Sequence, residues 1–177
     1  AILYGLRLSL SISLVSVALS IVIGVGLGVT AGFAGGWIDT VLMRVCDVML
    51  SFPAILVALL ADGILRSAIP GAAHESVAYF VLIFAITLSG WVPYARTVRG
   101  LTLVEKGKEF VMAAELIGEK KLTVMRRHIL PNVLGPVFVL AAVNVATAVM
   151  TEATLSFLGV GVPPTTPSLG TLIRIGN

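Results

Sequence analysis

Charged residues are scarce in this chain. Asp, Glu, Lys and Arg make up 12% of its 177 residues, whereas a soluble globular domain usually carries about 25%. Cysteine is nearly absent too, because Cys46 stands alone in an apolar stretch and leaves no disulfide framework. With so few charges the chain cannot cover a water-facing surface, which excludes a soluble domain, a disordered chain and a collagen-like repeat.

Patterns that carry chemistry are also missing. There is no Gly-x-Ser-x-Gly or His-Glu-x-x-His, and Gly107-Lys108 is followed by Glu109 instead of the Ser or Thr of a phosphate-binding loop. His74 and His128 lie far apart, with no Cys or carboxylate cluster at metal-ligand spacing. We therefore expect no enzyme activity, no metal site and no bound cofactor in this chain.

What the chain does contain is apolar sequence. Hydrophobic residues make up 58%, the mean hydropathy is +1.06, and a helix needs about 20 apolar residues to cross a bilayer. Four runs of that kind predict membrane spans at about 8–32, 38–61, 76–95 and 132–155. The sequence thus predicts an all-α, polytopic membrane helix bundle forming a single domain over 1–177, with an outer Gly- and Pro-rich segment at 159–170. The chain has no initiator Met and no evident terminus, so we expect it to be an internal segment.

Basic residues predict the orientation of these spans. Eight of the 12 Lys and Arg residues lie between Arg96 and Arg127, and basic loops stay on the cytoplasmic side. We therefore expect loop 96–131 and the Gly35-Gly36 turn to be cytoplasmic, with loop 62–75 and both chain ends outside. Because the positive charge follows this membrane pattern, the net charge of +3 does not indicate a nucleic-acid partner.

Polar and small residues within the spans are candidates for packing or function. A row of small side chains at steps of three and four predicts a tight helix seam, although it could also line a transport path. Arg44 and Asp47 lie three residues apart and predict an interfacial ion pair, with a proton relay as the weaker alternative. Glu152 has no basic residue nearby in sequence, so it is a candidate pathway residue. The row comprises Ser9, Ser13, Ser16, Ser20, Gly24, Gly28 and Gly32.

Loop 96–131 is too long for a simple turn. Residues 105–117 predict an amphipathic helix that Gly118 stops, and Leu122, Met125 and Ile129 predict a second helical stretch that Pro131 ends. Such a hairpin suits docking into a groove of another protein, whereas the alternative is a helix lying on lipid headgroups. The expected apolar face of the first helix comprises Phe110, Ala113, Ala114 and Ile117.

This loop resembles a known family. Ala113-Ala114-x-x-x-Gly118, followed by His128-Ile-Leu-Pro131, is similar to the loop signature of binding-protein-dependent ABC importer permeases. Met112 and His128 stand where that signature usually has Glu and Ile. Three further segments resemble the dipeptide/oligopeptide/nickel permease subfamily, although Ala61-Asp62-Gly63 departs from its pattern. These segments are Gly90-Trp91-Val-Pro-Tyr-Ala-Arg96, Arg127-His-Ile-Leu-Pro-Asn132 and Glu152-Ala-Thr-Leu-Ser-Phe-Leu-Gly-Val-Gly161.

The resemblance implies a type I ABC importer permease fold and the second permease subunit of a peptide system in the bacterial inner membrane. It implies a homologous permease as partner in a heterodimer, two ATPase subunits that hold ATP and Mg²⁺, and a periplasmic solute-binding protein. Arg96 and Arg99 would anchor the loop at the lipid headgroups. The residues expected to couple to the ATPase are Phe110, Ala113, Ala114, Glu115, Gly118, Leu130 and Pro131.

Two other functions remain open from the residues alone. An ion-coupled secondary transporter or channel would use acids within the spans, and only Asp47 and Glu152 qualify. A membrane scaffold protein would account for the seam of small residues but not for the hairpin. The transported substrate cannot be inferred from these residues.

Overall fold

A computed structural model describes residues 2–53, 55–57, 59–60, 63–64, 74–159 and 168–176. Every regular element among them is helical, as the composition predicts. Most of the expected outer loop 62–75 and most of segment 159–170 lie outside the described residues. The elements are α1 (Ile2–Ala34), α2 (Gly36–Ser51), α3 (His74–Lys106), α4 (Glu109–Leu116), α5 (Lys121–Val124), a π-turn (Met125–Ile129), α6 (Leu130–Phe157) and α7 (Leu169–Gly176).

Three of the described helical stretches are long and apolar enough to cross a membrane: Ile2–Ala34, Tyr79–Lys106 and Lys121–Phe157. They correspond to the first, third and fourth predicted spans. The second prediction, 38–61, is not one continuous helix, because α2 has 16 residues and ends at Ser51. Pro53 accounts for the break, since its ring prevents the preceding turn from continuing. The amides of Leu56 and Val57 then donate to the Pro53 carbonyl and start a new helical turn.

The third span is longer than predicted. α3 continues through Pro93 to Lys106 instead of ending near residue 95. Pro93 removes one backbone hydrogen bond, but its neighbours Val92 and Tyr94 are fully buried. Packing on both sides of the proline therefore keeps the helix continuous.

The chain divides into two compact units. Unit 1 comprises residues 1–19, 51–90 and 143–177, and unit 2 comprises residues 20–50 and 91–142. Each of the three long helices contributes residues to both units, and the expected single domain over 1–177 stays a prediction. The core of unit 2 includes Cys46, Trp91, Val92 and Ala95, with Leu27, Met43 and Met49 packed against it.

In unit 1, α7 begins at a reciprocal cap. The Thr171 amide donates to Ser168 Oγ at 3.2 Å, and the Ser168 amide donates to Thr171 Oγ1 at 2.6 Å, which satisfies two backbone donors at the helix start. The Leu169 amide donates to Ser9 Oγ on α1 at 3.3 Å. Ser9, the first of the small residues on α1, thus helps to hold the start of α7.

The small residues of α1 form a buried face. Ser9, Ser13 and Ser16 are fully buried. In unit 2, a Cβ added to Gly28 would lie 2.6 Å from the Ala95 carbonyl oxygen and 2.8 Å from Val98 Cβ. Comparable close approaches to α3 surround Gly24 and Gly32. Within unit 2, this face is therefore a backbone-to-backbone seam with α3, the packing alternative, since only glycine allows so close an approach.

Gly28→Ala should destabilise the protein, because its Cβ would overlap the backbone of α3. We expect a loss of about 1–3 kcal/mol, typical of overpacking, measured as a lower Tm of the purified chain in detergent. Gly26→Ala is the matched control, because no described residue outside its own turns of helix comes within 4 Å of a Cβ at that position. An equal fall in Tm for both variants would contradict the seam.

Candidate functional site

The candidate site is the hairpin Glu109–Val124, which joins α3 to the π-turn and α6. Its first helix begins at Glu109, not at residue 105, because Glu105 and Lys106 still belong to α3. This helix buries Val111 and Ala114, which are one turn apart. Of the four residues on the expected apolar face, Ala114 is buried within the chain, whereas Phe110, Ala113 and Ile117 are exposed. Docking through this face stays a prediction.

Gly118 ends α4 as the sequence predicts. Its φ is +88°, in the left-handed region that favours glycine. The Gly118 amide donates to the Glu115 carbonyl at 3.0 Å, and the Glu119 amide donates to the Ala114 carbonyl at 3.1 Å. These two bonds form a Schellman motif, which satisfies carbonyls that would otherwise be free at the helix end.

The turn presents an exposed apolar tip. Leu116 and Ile117 are 88% and 83% exposed, and Leu122 on the second arm is 63% exposed. Lys120 and Lys121 lie beside them and are also exposed. Apolar side chains held this far into solvent at a fixed turn are typical of an interaction surface.

The second arm does not end at Pro131, contrary to the sequence prediction. It continues through the π-turn into α6, and the Leu130 amide donates to the Met125 carbonyl five residues earlier. Pro131 has no amide hydrogen and its ring disfavours a normal helical turn before it, so the wider turn lets the helix continue. The buried positions shift accordingly, to Val124, Ile129, Val133 and Val137 at steps of five, four and four.

Polar contacts join the hairpin to the helices on either side. Glu119 Oε2 lies 3.1 Å from His128 Nε2 in the π-turn, and the ring centroids of His128 and Phe110 are 6.3 Å apart. Asn132 Nδ2 donates to Glu105 Oε2 on α3 at 3.2 Å and to the His128 carbonyl at 2.9 Å. Lys108 Nζ donates to the other oxygen of Glu105 at 2.6 Å.

The arginines at the end of α3 bind acids of α2. Arg96 Nη2 donates to Asp47 Oδ1 at 2.5 Å, and Arg99 forms a two-bond contact with both oxygens of Asp39. The expected Arg44–Asp47 pair is therefore wrong, and Arg44 forms no ion pair with any residue that the structure describes. Arg96 and Arg99 thus make ion pairs within the chain. The expected role of these arginines in anchoring the loop to lipid headgroups stays a prediction.

The turn between α1 and α2 lies in the same unit. Gly35 and Gly36 both have positive φ, and Lys106 Nζ donates to the Phe33 carbonyl at 2.8 Å and lies 5.1 Å from the centre of the Phe33 ring. A lysine at this position donates a hydrogen bond to a carbonyl at the α1 C-terminus, and its positive charge is stabilised by the negative end of the helix dipole.

Glu152 lies in unit 1 and is fully buried. Its Oε1 accepts a hydrogen bond of 2.6 Å from Ser156 Oγ one turn later, while Oε2 has no hydrogen-bond partner among the described residues. A buried carboxyl group with one oxygen unbonded is costly and marks a polar point inside an apolar span.

Comparison with known proteins gives the family. Residues 24–177 match the family described as "Binding-protein-dependent transport system inner membrane component". The chain belongs to this family.

Two relatives show how far the likeness extends. The oligopeptide transport system permease protein OppC of Bacillus subtilis is 36% identical over 146 residues, covering 82% of this chain and 45% of that protein. The glutathione transport system permease protein GsiD of Escherichia coli O6:K15:H31 is 37% identical over 173 residues, covering 98% of this chain and 54% of that protein. The chain thus spans about half the length of these relatives.

A solved structure supports the fold. The crystal structure of an amino acid ABC transporter with histidines matches with a TM-score of 0.69 over 97% of this chain and 75% of that one, at 18% identity. The all-helical permease-like fold is therefore confirmed, as is the multi-pass inner-membrane character of the family.

Sequence reasoning missed several polar residues of this permease-family chain. Asp39, Glu105, Glu119 and Asn132 are not among the predicted site residues, and His128 enters the sequence analysis only as a rejected metal ligand and as a departure from the signature. A usable signal exists for the two ion pairs between α2 and α3: Arg96 and Arg99 lie one turn apart on α3, while α2 supplies two acids that need cations near the membrane.

Reversing the charge of Arg99 should destabilise unit 2, because Arg99→Asp places like charges side by side. We expect a loss of about 1 kcal/mol, since the pair is only partly buried, and recovery in the double variant Asp39→Arg/Arg99→Asp. The measurement is thermal unfolding in detergent. Arg44→Asp is the control, and a comparable loss in that variant would show that any charge reversal in this region is harmful.

Proposed function

We propose that this chain is the membrane-spanning permease part of an ATP-driven importer, and that its hairpin docks onto a separate ATPase subunit. The observation that carries the proposal is the exposed tip at Leu116 and Ile117, held by the Gly118 turn in a chain of this family. The free energy falls when a partner's groove covers such a surface, because apolar area is then removed from water. ATP binding would close the ATPase dimer, displace the hairpin and bias alternating access.

The partners follow from this assignment. We infer a second, homologous permease subunit, two ATPase subunits that bind ATP and Mg²⁺, and a periplasmic solute-binding protein that selects the cargo. Peptides or related small solutes are the proposed cargo, because the two relatives are permease proteins of an oligopeptide and a glutathione transport system. Ala114 and Gly118 would lie near the ATPase, with Leu130 and Pro131 at the start of the helix that receives the displacement.

The ion-coupled alternative has one observation in its favour, the buried Glu152. It is weakened at the other candidate acid, because Asp47 is paired with Arg96 and so does not present a free carboxylate for ion binding. The scaffold alternative gives no reason for a fixed turn with an exposed apolar tip. The importer therefore accounts for more of the described contacts.

We infer that the hairpin faces the cytoplasm, because eight of the 12 basic residues flank or form it. A cysteine at the tip tests this directly. Ile117→Cys should react with a membrane-impermeant maleimide in inside-out vesicles that have been stripped of peripheral subunits, and not in intact spheroplasts. The background is low because native Cys46 is 1% exposed. Labelling in spheroplasts would reverse the proposed orientation.

Docking is tested by adding a side chain at the turn. Gly118→Asn keeps the left-handed conformation accessible, because asparagine tolerates it better than other residues with a side chain, and among the described residues beyond its own turn none lies within 4 Å of the new Cβ. We expect the variant to insert normally in native membranes but to lose at least about 90% of the ATP-hydrolysing subunit that copurifies with the wild type, equivalent to about 1.4 kcal/mol of docking energy.

Gly107→Asn is the matched control at the other end of the hairpin, where a Cβ meets only the Val104 carbonyl at 3.6 Å. It should retain the ATPase. If Gly118→Asn also retains it, the tip is not the docking surface. If no ATPase accompanies the wild-type chain in mild detergent, the importer proposal itself fails.

A further inference from the structure

The first helix of the hairpin, α4, lies between two short backbone connections that contain glycine, residues 107–108 and 117–120, whereas the second arm is continuous with α6. Gly107 and Lys108 separate α3 from α4, and their amides make single-turn bonds to the carbonyls of Val104 and Glu105 at 3.2 and 3.1 Å. Such connections leave the angle between α4 and the neighbouring helices adjustable. Side-chain contacts must therefore fix this angle.

Two side-chain links cross these connections. The first is Glu119–His128, 3.1 Å long, which joins the residue after the Gly118 turn to the π-turn. Both side chains are partly shielded from water, 32% and 25% exposed, and the His128 ring is also near Phe110 on α4. This link therefore connects both arms of the hairpin to the start of α6.

The second link is Glu105–Asn132, which joins the last turn of α3 to the first turn of α6. The Glu105 side chain is 12% exposed, and its two oxygens accept from Asn132 and Lys108. Asn132 also donates to the His128 carbonyl. The two links thus meet at one turn of helix, which runs from the end of the π-turn into the start of α6.

We propose that His128 and Asn132 are positioning residues that transmit displacement of the hairpin into α6 and α3. This inference rests on the proposed function, because it assumes an ATPase that moves the hairpin. Without the links α4 would swing on the glycine-containing connections at its two ends, and the energy of ATPase closure would be lost there. With them, the hairpin and the first turns of α6 move together.

The experiment uses the complete transporter in lipid nanodiscs and follows amide hydrogen exchange with and without ATP, Mg²⁺ and orthovanadate. In the wild type we expect nucleotide trapping to change exchange both in residues 109–124 and in residues 125–140. In His128→Phe and Asn132→Leu the hairpin should still respond, while the response of residues 125–140 falls roughly two- to tenfold, the effect of losing one net hydrogen bond.

Conservative and matched variants separate this role from a merely structural one. Glu119→Gln keeps a hydrogen-bond acceptor for His128 and should transmit normally, whereas Glu119→Leu should behave like His128→Phe. Asn144→Leu is the control on the same helix, because Asn144 makes no hydrogen bond to any residue that the structure describes, and it should also transmit normally. If His128→Phe fails to assemble, Glu119→Leu tests the same link from the other side.

The outcomes are distinguishable. If residues 125–140 respond in His128→Phe, Glu119→Leu and Asn132→Leu as in the wild type, the links do not transmit and this inference is overturned, while the importer proposal stands. If trapping leaves the wild-type hairpin unchanged, the proposed function fails and this inference with it. A loss of response in Asn144→Leu equal to that in Asn132→Leu would also overturn the assignment of Asn132.

Discussion

The close approach of α1 to α3 in unit 2 is the contact on which the other contacts of that unit depend. Lipid tails are as apolar as leucine side chains, so two membrane helices gain little from burying hydrophobic surface against each other. They must instead gain dispersion energy from tight packing, and glycine permits the shortest backbone separation. Gly24, Gly28 and Gly32 supply three such approaches at four-residue steps along one face. The register between the two helices is thereby fixed over two turns.

This register determines where the charges at the end of α3 lie. Lys106 reaches the last turn of α1 at Phe33, and Arg96 and Arg99 reach the acids of α2. Each exposed or half-exposed pair contributes little to stability by itself, but a charge without a partner near the membrane would be costly. The pairs therefore fix the position of α2 along α3, and they add little to the stability of the unit. A shift of one residue in the glycine seam would separate all three contacts.

The sequence predicts a feature correctly where one pattern of residues has one structural consequence. A membrane span needs a long apolar run, a seam needs small residues at helical spacing, and the left-handed turn after α4 needs a glycine, which Gly118 supplies. The failures involve choices among several partners or geometries. Asp47 had Arg44 nearby in sequence and Arg96 nearby in space, and sequence spacing cannot rank them. The proline at 131 predicts a helix end, whereas the extra residue in the preceding turn that lets the helix continue leaves no mark in the sequence other than the five-residue step from Val124 to Ile129.

The described helices differ in how firmly they are held by the rest of the chain. In the apolar 18-residue stretch of each long helix, 50% of the stretch is buried in α1 and 56% in α3. In Lys121–Phe157 only 17% of the corresponding stretch is buried. A helix with few packing contacts loses little energy when it moves, because close packing is what makes displacement costly. This helix is also the one that begins in the hairpin and carries both side-chain links. The seam thus gives unit 2 a closely packed pair of helices, and the hairpin is attached to the long helix that the described residues of this chain cover least. This is the arrangement that we expect if docking at the tip displaces that helix.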